Sequence, residues 1–389
     1  MLDDLRLNSR STRGRSTSPL FSTFLTTTIV GLSCVTPAAA ALDVPSTQFG
    51  SSVILTQSIM GSIVNRPSSP FVTGLAFDDP GQPCGNGLWA RGVGGQANAI
   101  GEVVADTQRD KVNINANYGG VQFGIDYGCY NRSVQGFDLA GGVIAGNNFG
   151  KTEQPIFGVD TVEKVSRRDS TTTITFDQGY AGFYATLARG GFAAEIQYRA
   201  EFTEFEANNS VLPGGTGVGL TDERFSSFAN TISGSVSQAF PLGETNWSVA
   251  PNVGASYTSQ SMDTIQFDDG STLKLLDSTT EVIFGGATLV RSAVGADGTT
   301  STSQFVTATF YQNLSDELVS IFEPAGGDRE GLTSETLGTY GEISVGISFL
   351  KVFDEGVRPR QLNASLRGDF RIGERVDSWG LTGQVRWQY

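Results

Sequence analysis

The chain ends in SWGLTGQVRWQY, residues 378–389, and the order of side chains in that stretch decides how the rest is read. Trp379, Leu381, Gly383, Val385, Trp387 and Tyr389 fall on one side of an extended strand, and Gly380, Thr382, Gln384, Arg386 and Gln388 fall on the other. Successive residues of a strand point to opposite faces, so the segment has one apolar and one polar face. Trp379 stands near one end and Trp387 with Tyr389 at the other, where the two aromatic girdles of a membrane-spanning strand would lie.

Residues 192–203, FAAEIQYRAEFT, follow the same rule. Phe192, Ala194, Ile196, Tyr198, Ala200 and Phe202 share one face, while Glu195, Gln197, Arg199, Glu201 and Thr203 share the other. Unpaired charges are costly in a dry core. A sandwich, whose two inward faces are both apolar, does not suit this strand, whereas a hydrated lumen does. The expectation is an outer lipid face and an inner polar face, with Arg91, Glu195, Gln197, Arg199, Glu201, Arg367 and Arg386 as candidate lumen residues.

Similar alternation predicts twelve strands: 88–98, 113–128, 134–149, 173–188, 191–206, 225–240, 245–261, 276–291, 302–315, 337–351, 358–371 and 378–389. Segments 173–188 and 281–291 are apolar on both faces, and Pro251 interrupts its strand, which points to a bulge or break. The short links 129–133, 189–190, 241–244 and 372–377 contrast with the longer 99–112, 150–172, 207–224, 262–275 and 316–336. Short periplasmic turns and longer surface loops produce such a contrast. An even strand number brings both ends of the barrel to one side. The predicted fold is therefore all-β, a transmembrane antiparallel outer-membrane β-barrel over 88–389. Glycine is abundant at 49 residues, several inside the strands, as a curved wall requires.

Composition limits function. The formal net charge is -14 and no histidine is present. Nucleic acid is excluded as a partner by the charge. The commonest general base and transition-metal ligand is missing. No G-x-S-x-G elbow or phosphate loop occurs, so no catalytic, cofactor or metal residues are assigned. Asp263, Asp268, Asp269 and Asp277 lack regular calcium-ligand spacing and read as a solvated loop, as do Asp328, Arg329 and Glu330. Glu195, Glu201, Glu204 and Glu206 near Arg199 form the densest charged cluster.

Arg6, Arg10, Arg13 and Arg15, a moderately apolar stretch and the run Ala38–Ala41 read as a signal peptide over 1–41. No other run is long and apolar enough for a spanning helix. Residues 42–87 are a linker, within which 49–66 carries Val53, Ile54, Gln57, Met60, Gly61 and Val64 at helical spacing. That stretch is a candidate lumenal helix whose Ser and Gln side would face water. Cys34 lies in the leader. Cys84 and Cys129 either pair in an oxidising compartment or stay independent, and spacing does not decide between the two.

These residues resemble the C-terminal translocator domain of autotransporters, the type Va secretion proteins. Leu88-Trp89-Ala90-Arg91-Gly92 with Gly94-Gly95 is similar to that family's first strand, and Val121–Asp126 with Tyr127-Gly128 to its second. Val249-Ala250-Pro251-Asn252 followed by Ala255, Ser256 and Tyr257 resembles a proline-bearing strand of the family. Val385, Trp387 and Tyr389 resemble its terminal assembly signal. The resemblance covers about residues 49–389. It implies a twelve-stranded barrel threaded by a helix, with outer-membrane lipid, lipopolysaccharide and the barrel-assembly machinery as partners. A monomer suffices, since closure leaves no strand edge. Only residues 42–87 separate leader from barrel, so the expected role is translocator or anchor with little or no passenger. A porin for small solutes and an adhesive barrel acting through its loops are the alternatives.

Overall fold

The computed structural model describes residues 44–64, 84–105, 108–159, 166–209, 220–315, 317–353 and 360–389. The signal-peptide reading lies outside them, as do residues 65 and 66 of the expected helix.

Twelve long strands form the wall: β1 Cys84–Ala105, β2 Gln108–Val134, β3 Phe137–Val159, β4 Ser166–Arg189, β5 Phe192–Asn209, β6 Leu220–Gln238, β7 Trp247–Met262, β8 Ser278–Val294, β9 Thr300–Asn313, β10 Thr339–Phe353, β11 Arg360–Gly373 and β12 Val376–Gln388. Each pairs antiparallel with its neighbours, and β12 returns to β1 through the ladder Gly87↔Gln388 to Ala99↔Val376. Beyond that ladder Asn86 and Tyr389 exchange both backbone hydrogen bonds, at 2.9 and 3.0 Å. The sheet is closed, so every strand of the wall has a partner on both sides.

Burial on the wall inverts that of a soluble protein. Phe123, Ile125 and Val143 are 56%, 58% and 61% exposed, while Gln122 and Asp126 are 1% and 3% exposed. Apolar side chains point outward because lipid, not water, is the solvent there.

The inversion stops partway up the strands. In β2, outward Val121, Phe123, Ile125 and Tyr127 give way above Gly119 to outward Lys111, Asn113 and Asn115, while inward Gln122 and Asp126 give way to inward Val112, Ile114 and Ala116. In β5, outward Ile196 and Phe202 yield to Glu204 and Glu206, and inward Arg199 and Glu201 yield to Phe205 and Ala207. The period of two continues with its phase reversed, as in a strand wet outside and packed inside. The change of phase marks the edge of the outward-facing apolar band.

These projecting ribbons correct the expected long loops. Residues 99–105 and 108–112 continue the β1–β2 ladder, and most of 150–172 continues the β3–β4 ladder. The link 372–377 is short but lies at the same end as the long connections, so connection length does not sort cleanly by side. At Pro251 the β6–β7 ladder stops after Ser237↔Asn252 and β7 is met again at Phe240↔Val249, so the missing amide falls where the ladder is broken.

Four short strands make a cap. Ile265–Gln266 and Thr272–Leu275 lie in the β7–β8 connection, and the hairpin Glu317–Glu323/Glu330–Glu335 lies in the β9–β10 connection. Thr272–Leu275 pairs with Ser320–Glu323, and the hairpin's other arm pairs with β1 through Val103↔Ser334 and Val104↔Thr333. A strip of sheet thus crosses the mouth from the β7–β8 connection to β1.

Candidate functional site

The lumen has two storeys. The upper one is apolar, lined by Ala97 and Ala99 of β1, Val112, Ile114 and Ala116 of β2, Ile174 and Phe176 of β4, and Phe205 and Ala207 of β5, among others. It holds the helix α1, Val44–Ile59, which continues as a wider turn over Met60–Val64. Phe49, Val53, Ile54, Leu55, Ile59, Met60 and Ile63 are all buried, and so are Ser51, Ser52 and Thr56. The expected water-facing Ser and Gln side is therefore corrected: among the described Ser and Gln side chains of α1, Ser51, Ser52 and Ser58 are buried and only Gln57 is partly open. The apolar and small polar side chains of α1 share no distinct face, as in a helix enclosed by a core. Thr56 satisfies its hydroxyl by donating to the Ser52 carbonyl at 2.8 Å and lies 3.1 Å from the Thr152 hydroxyl. Leu55 fits over Gly101, where a β-carbon would lie 2.8 Å from its Cδ1.

The helix has a direction. Phe49, near its N-terminal end, meets Phe267 of the cap edge-on at 5.8 Å, and Phe267 meets Phe322 at 5.9 Å. Gly50 abuts Leu273 and Ser320, also of the cap. Met60 and Gly61, past the other end, border a cavity of about 40 Å³ whose far wall is Gln178, Glu201 and Thr203. The N-terminal end of α1 thus lies under the cap and its C-terminal end points into the barrel.

The lower storey is polar and crosslinked. Arg386 of β12 clamps Asp126 of β2 with two hydrogen bonds, at 2.8 and 2.7 Å. The Tyr184 hydroxyl donates to the same carboxylate and accepts from Trp89 Nε1 at 2.9 Å. Arg371 donates to Glu342 at 2.8 Å, and Ser344 donates to both Glu342 and Asp369. Arg199 lies 3.1 Å from Glu201, which accepts from Gln178, and its guanidinium lies over the Tyr180 ring at 5.5 Å. Arg367 lies 3.0 Å from Asp369. Charges buried this deeply are retained only when paired.

The candidate lumen residues Arg91, Glu195, Gln197, Arg199, Glu201, Arg367 and Arg386 all project inward, with Glu195 and Arg367 less covered than the rest. Among them Arg199 pairs with Glu201 on its own strand, Arg367 with Asp369 and Arg386 with Asp126. Glu204 and Glu206 leave the expected acidic cluster, because they face outward beyond the apolar band, where Glu206 pairs with Arg224 at 3.0 Å. Glu342 and Asp369, partners of lumen arginines, are marked by no motif in the sequence, although each sits at an inward position of an alternating strand; Asp126 closes the stretch resembling the family's second strand, but nothing there names it as a partner of Arg386.

Outside the lumen, Asp263 accepts from Ser226, Asp268 from Thr221 and Asp269 from Ser271. No group of three or more potential metal ligands occurs among the described residues. Val385 and Trp387 lie on the outer face of β12, Trp387 against Phe353 at 5.6 Å, and Tyr389 ends the closing ladder. Cys84 and Cys129 stand opposite each other on β1 and β2 with Cα atoms 4.0 Å apart, and their sulfurs are bonded.

A family model described as the autotransporter beta-domain matches residues 88–351. No curated protein matches the chain. Among solved structures, the transport unit of the autotransporter AIDA-I from Escherichia coli aligns with a TM-score of 0.61 at 16% identity, covering 88% of this chain and 98% of that one. The beta domain of the Bordetella autotransporter BrkA aligns with a TM-score of 0.52 at 16% identity, covering 78% of this chain and 98% of that one.

Proposed function

The chain belongs to the autotransporter β-domain family, and from that premise we propose that it works in the outer membrane of a Gram-negative cell as the translocator or anchor of its own N-terminal segment. The observation that carries this reading is the direction of α1. Its N-terminal end lies beneath the cap at the outer mouth, so the chain ahead of Val44 is delivered toward the cell surface while the barrel grips the helix itself. Leader removal near residue 41 would leave that end free to emerge.

The seat of α1 also weighs against a porin. Helix and cap occupy the upper lumen, and the paired charges narrow the lower one. Of the loops through which an adhesive barrel would act, 150–172, 207–224 and 316–336, the last is engaged in capping the mouth. We assign the barrel no catalytic role and no cofactor. Its partners on this reading are outer-membrane lipid and lipopolysaccharide on the apolar band, and the assembly machinery at Val385, Trp387 and Tyr389. It acts as a monomer, because the closed sheet offers no edge.

Conductance in planar bilayers tests the reading. The mature protein is expected to conduct weakly, and a version lacking residues 42–70 strongly. High, stable conductance in the intact protein would overturn the plug. A tag placed ahead of Val44 is expected to be accessible to antibody on intact cells; a tag reached only after the outer membrane is opened would reverse the assigned direction.

A further inference from the structure

The bridge between Cys84 and Cys129 sits where the barrel wall meets the segment it carries. Cys84 is the first residue of β1, and the chain that leaves α1 enters the wall covalently there. A pull that overcomes the packing of α1 in the lumen therefore falls next on the wall at Cys84.

The anchorage at that point is asymmetric. Cys84 and Gly85 are paired with Cys129 and Gly128 of β2, whereas the ladder to β12 begins at Gly87, with the Asn86–Tyr389 bonds just beyond it. β1 is also the strand that closes the barrel, since its other side is the seam with β12. A ladder pulled at its end opens rung by rung, and the first rungs to open would be those next to the seam. A covalent bond at the first rung removes that route, because β1 cannot peel from β2 before the bridge breaks.

We propose that the Cys84–Cys129 disulfide is a clamp at the root of the seam strand, which directs the pull of the N-terminal segment into β2 and keeps the β1–β12 seam shut. That the pull arises in export rests on the function proposed above; the clamp itself does not. The bond requires an oxidant of the dithiol-oxidase class. A Cys84 or Cys129 thiolate attacks the oxidant's disulfide, and the second cysteine thiolate displaces the oxidant from the mixed disulfide. Both cysteines lose their protons and together two electrons, and the oxidant leaves as a dithiol.

Single-molecule pulling on an N-terminal tag of the bilayer-inserted full mature chain tests this. The comparison is the same folded protein before and after reductant, together with Cys84→Ser/Cys129→Ser. The oxidised barrel is expected to resist at a higher force before its wall first yields. The loop closed by the bridge, a sequence separation of 45 and about 150 Å of extended chain, is expected to be missing from its first length increment. Equal forces with and without the bridge would overturn the clamp, and equal increments would show that no bridge is present. Reductant acts on protein already folded, so an assembly defect in the serine variant does not blur the result. Tag exposure on intact cells, read separately, reports on export: a clamp confirmed in bilayers with no exposed tag would sink the proposed function and leave the clamp standing.

Discussion

The indole of Trp89 lies over Gly124, its directly opposed neighbour on β2, so closely that a β-carbon on Gly124 would overlap the ring. The glycine leaves the indole room to lie flat against the wall and reach Tyr184, which it meets edge-on at 6.1 Å. Replacing Gly124 by Ala forces the ring off this position, an overpacking that costs about 1–3 kcal/mol. Gly124→Ala is expected to lower the temperature at which the folded, fast-migrating band is lost on unheated gels. Trp89→Leu with Gly124→Ala is expected to recover much of the loss, whereas equal loss in the double variant would place the damage in the backbone instead.

Arg386 and Asp126 join β12 to β2 across the inside of the seam strand. A buried pair adds little over apolar residues, but removal of one member strands the other's charge, at a cost of about 3–5 kcal/mol. Asp126→Asn and Arg386→Met are each expected to lower the urea midpoint of unfolding in lipid. The double variant is expected to be less damaged than the sum of the two. Strict additivity would mean that the two side chains do not interact.

The turn between β8 and β9 carries an ionisable group outside the membrane. Lys351 donates to Asp297 at 2.7 Å, and Thr300 and Thr299 donate to the same carboxyl group. These bonds, with that from Lys351 foremost, hold the carboxyl well below the usual carboxylate range. A depressed carboxyl stabilises the folded turn at any pH above its unfolded value of about 3.9, and the contribution fades only as pH falls toward the depressed value. In a carbon-detected titration Asp297 is expected to remain ionised at a pH where free aspartate is half protonated. Lys351→Met is expected to raise its midpoint. An ordinary midpoint in the parent protein would count against the lysine contact.

All twelve strands are legible in the sequence because lipid outside and polar groups inside impose a period of two. Residues 378–389 and 192–203 carry that signal without interruption. The ribbons beyond the apolar band read as loops because their phase reverses: Lys111, Asn113 and Asn115 point outward where the lower strand places apolar residues. Segments 173–188 and 281–291 read as apolar on both faces because Phe176 and Phe284 line the helix seat. The enclosure of α1 is hidden for a related reason. A helix with no polar side gives no direction for its burial, and Ser51, Ser52 and Thr56 suggest water where the structure has packing. The bridged cysteines stay undecided in the sequence because only the register, Cys84↔Cys129, brings them together.

Leu55 and Gly101 decide whether the helix stays in its seat. The leucine is fully buried, and its methyl groups fill the space that the missing glycine side chain leaves on β1. Burial of such a side chain contributes about 1.5–3 kcal/mol, and α1 has several. One charge at this position should nonetheless unseat the helix, because Leu55→Asp buries an unpaired carboxylate in an apolar chamber. Gly101→Leu would act from the wall, by occupying the space that Leu55 needs. Both variants keep the β1–β2 ladder and the lower charged pairs, so the barrel is expected to form and migrate as folded. Their bilayer conductance is expected to rise toward that of the protein lacking residues 42–70, and protease is expected to reach α1. Leu55→Ile should change neither measurement much, since apolar volume is kept. Folded, fully closed barrels from both Leu55→Asp and Gly101→Leu would mean that the cap and the lower charged pairs seal the lumen without the helix.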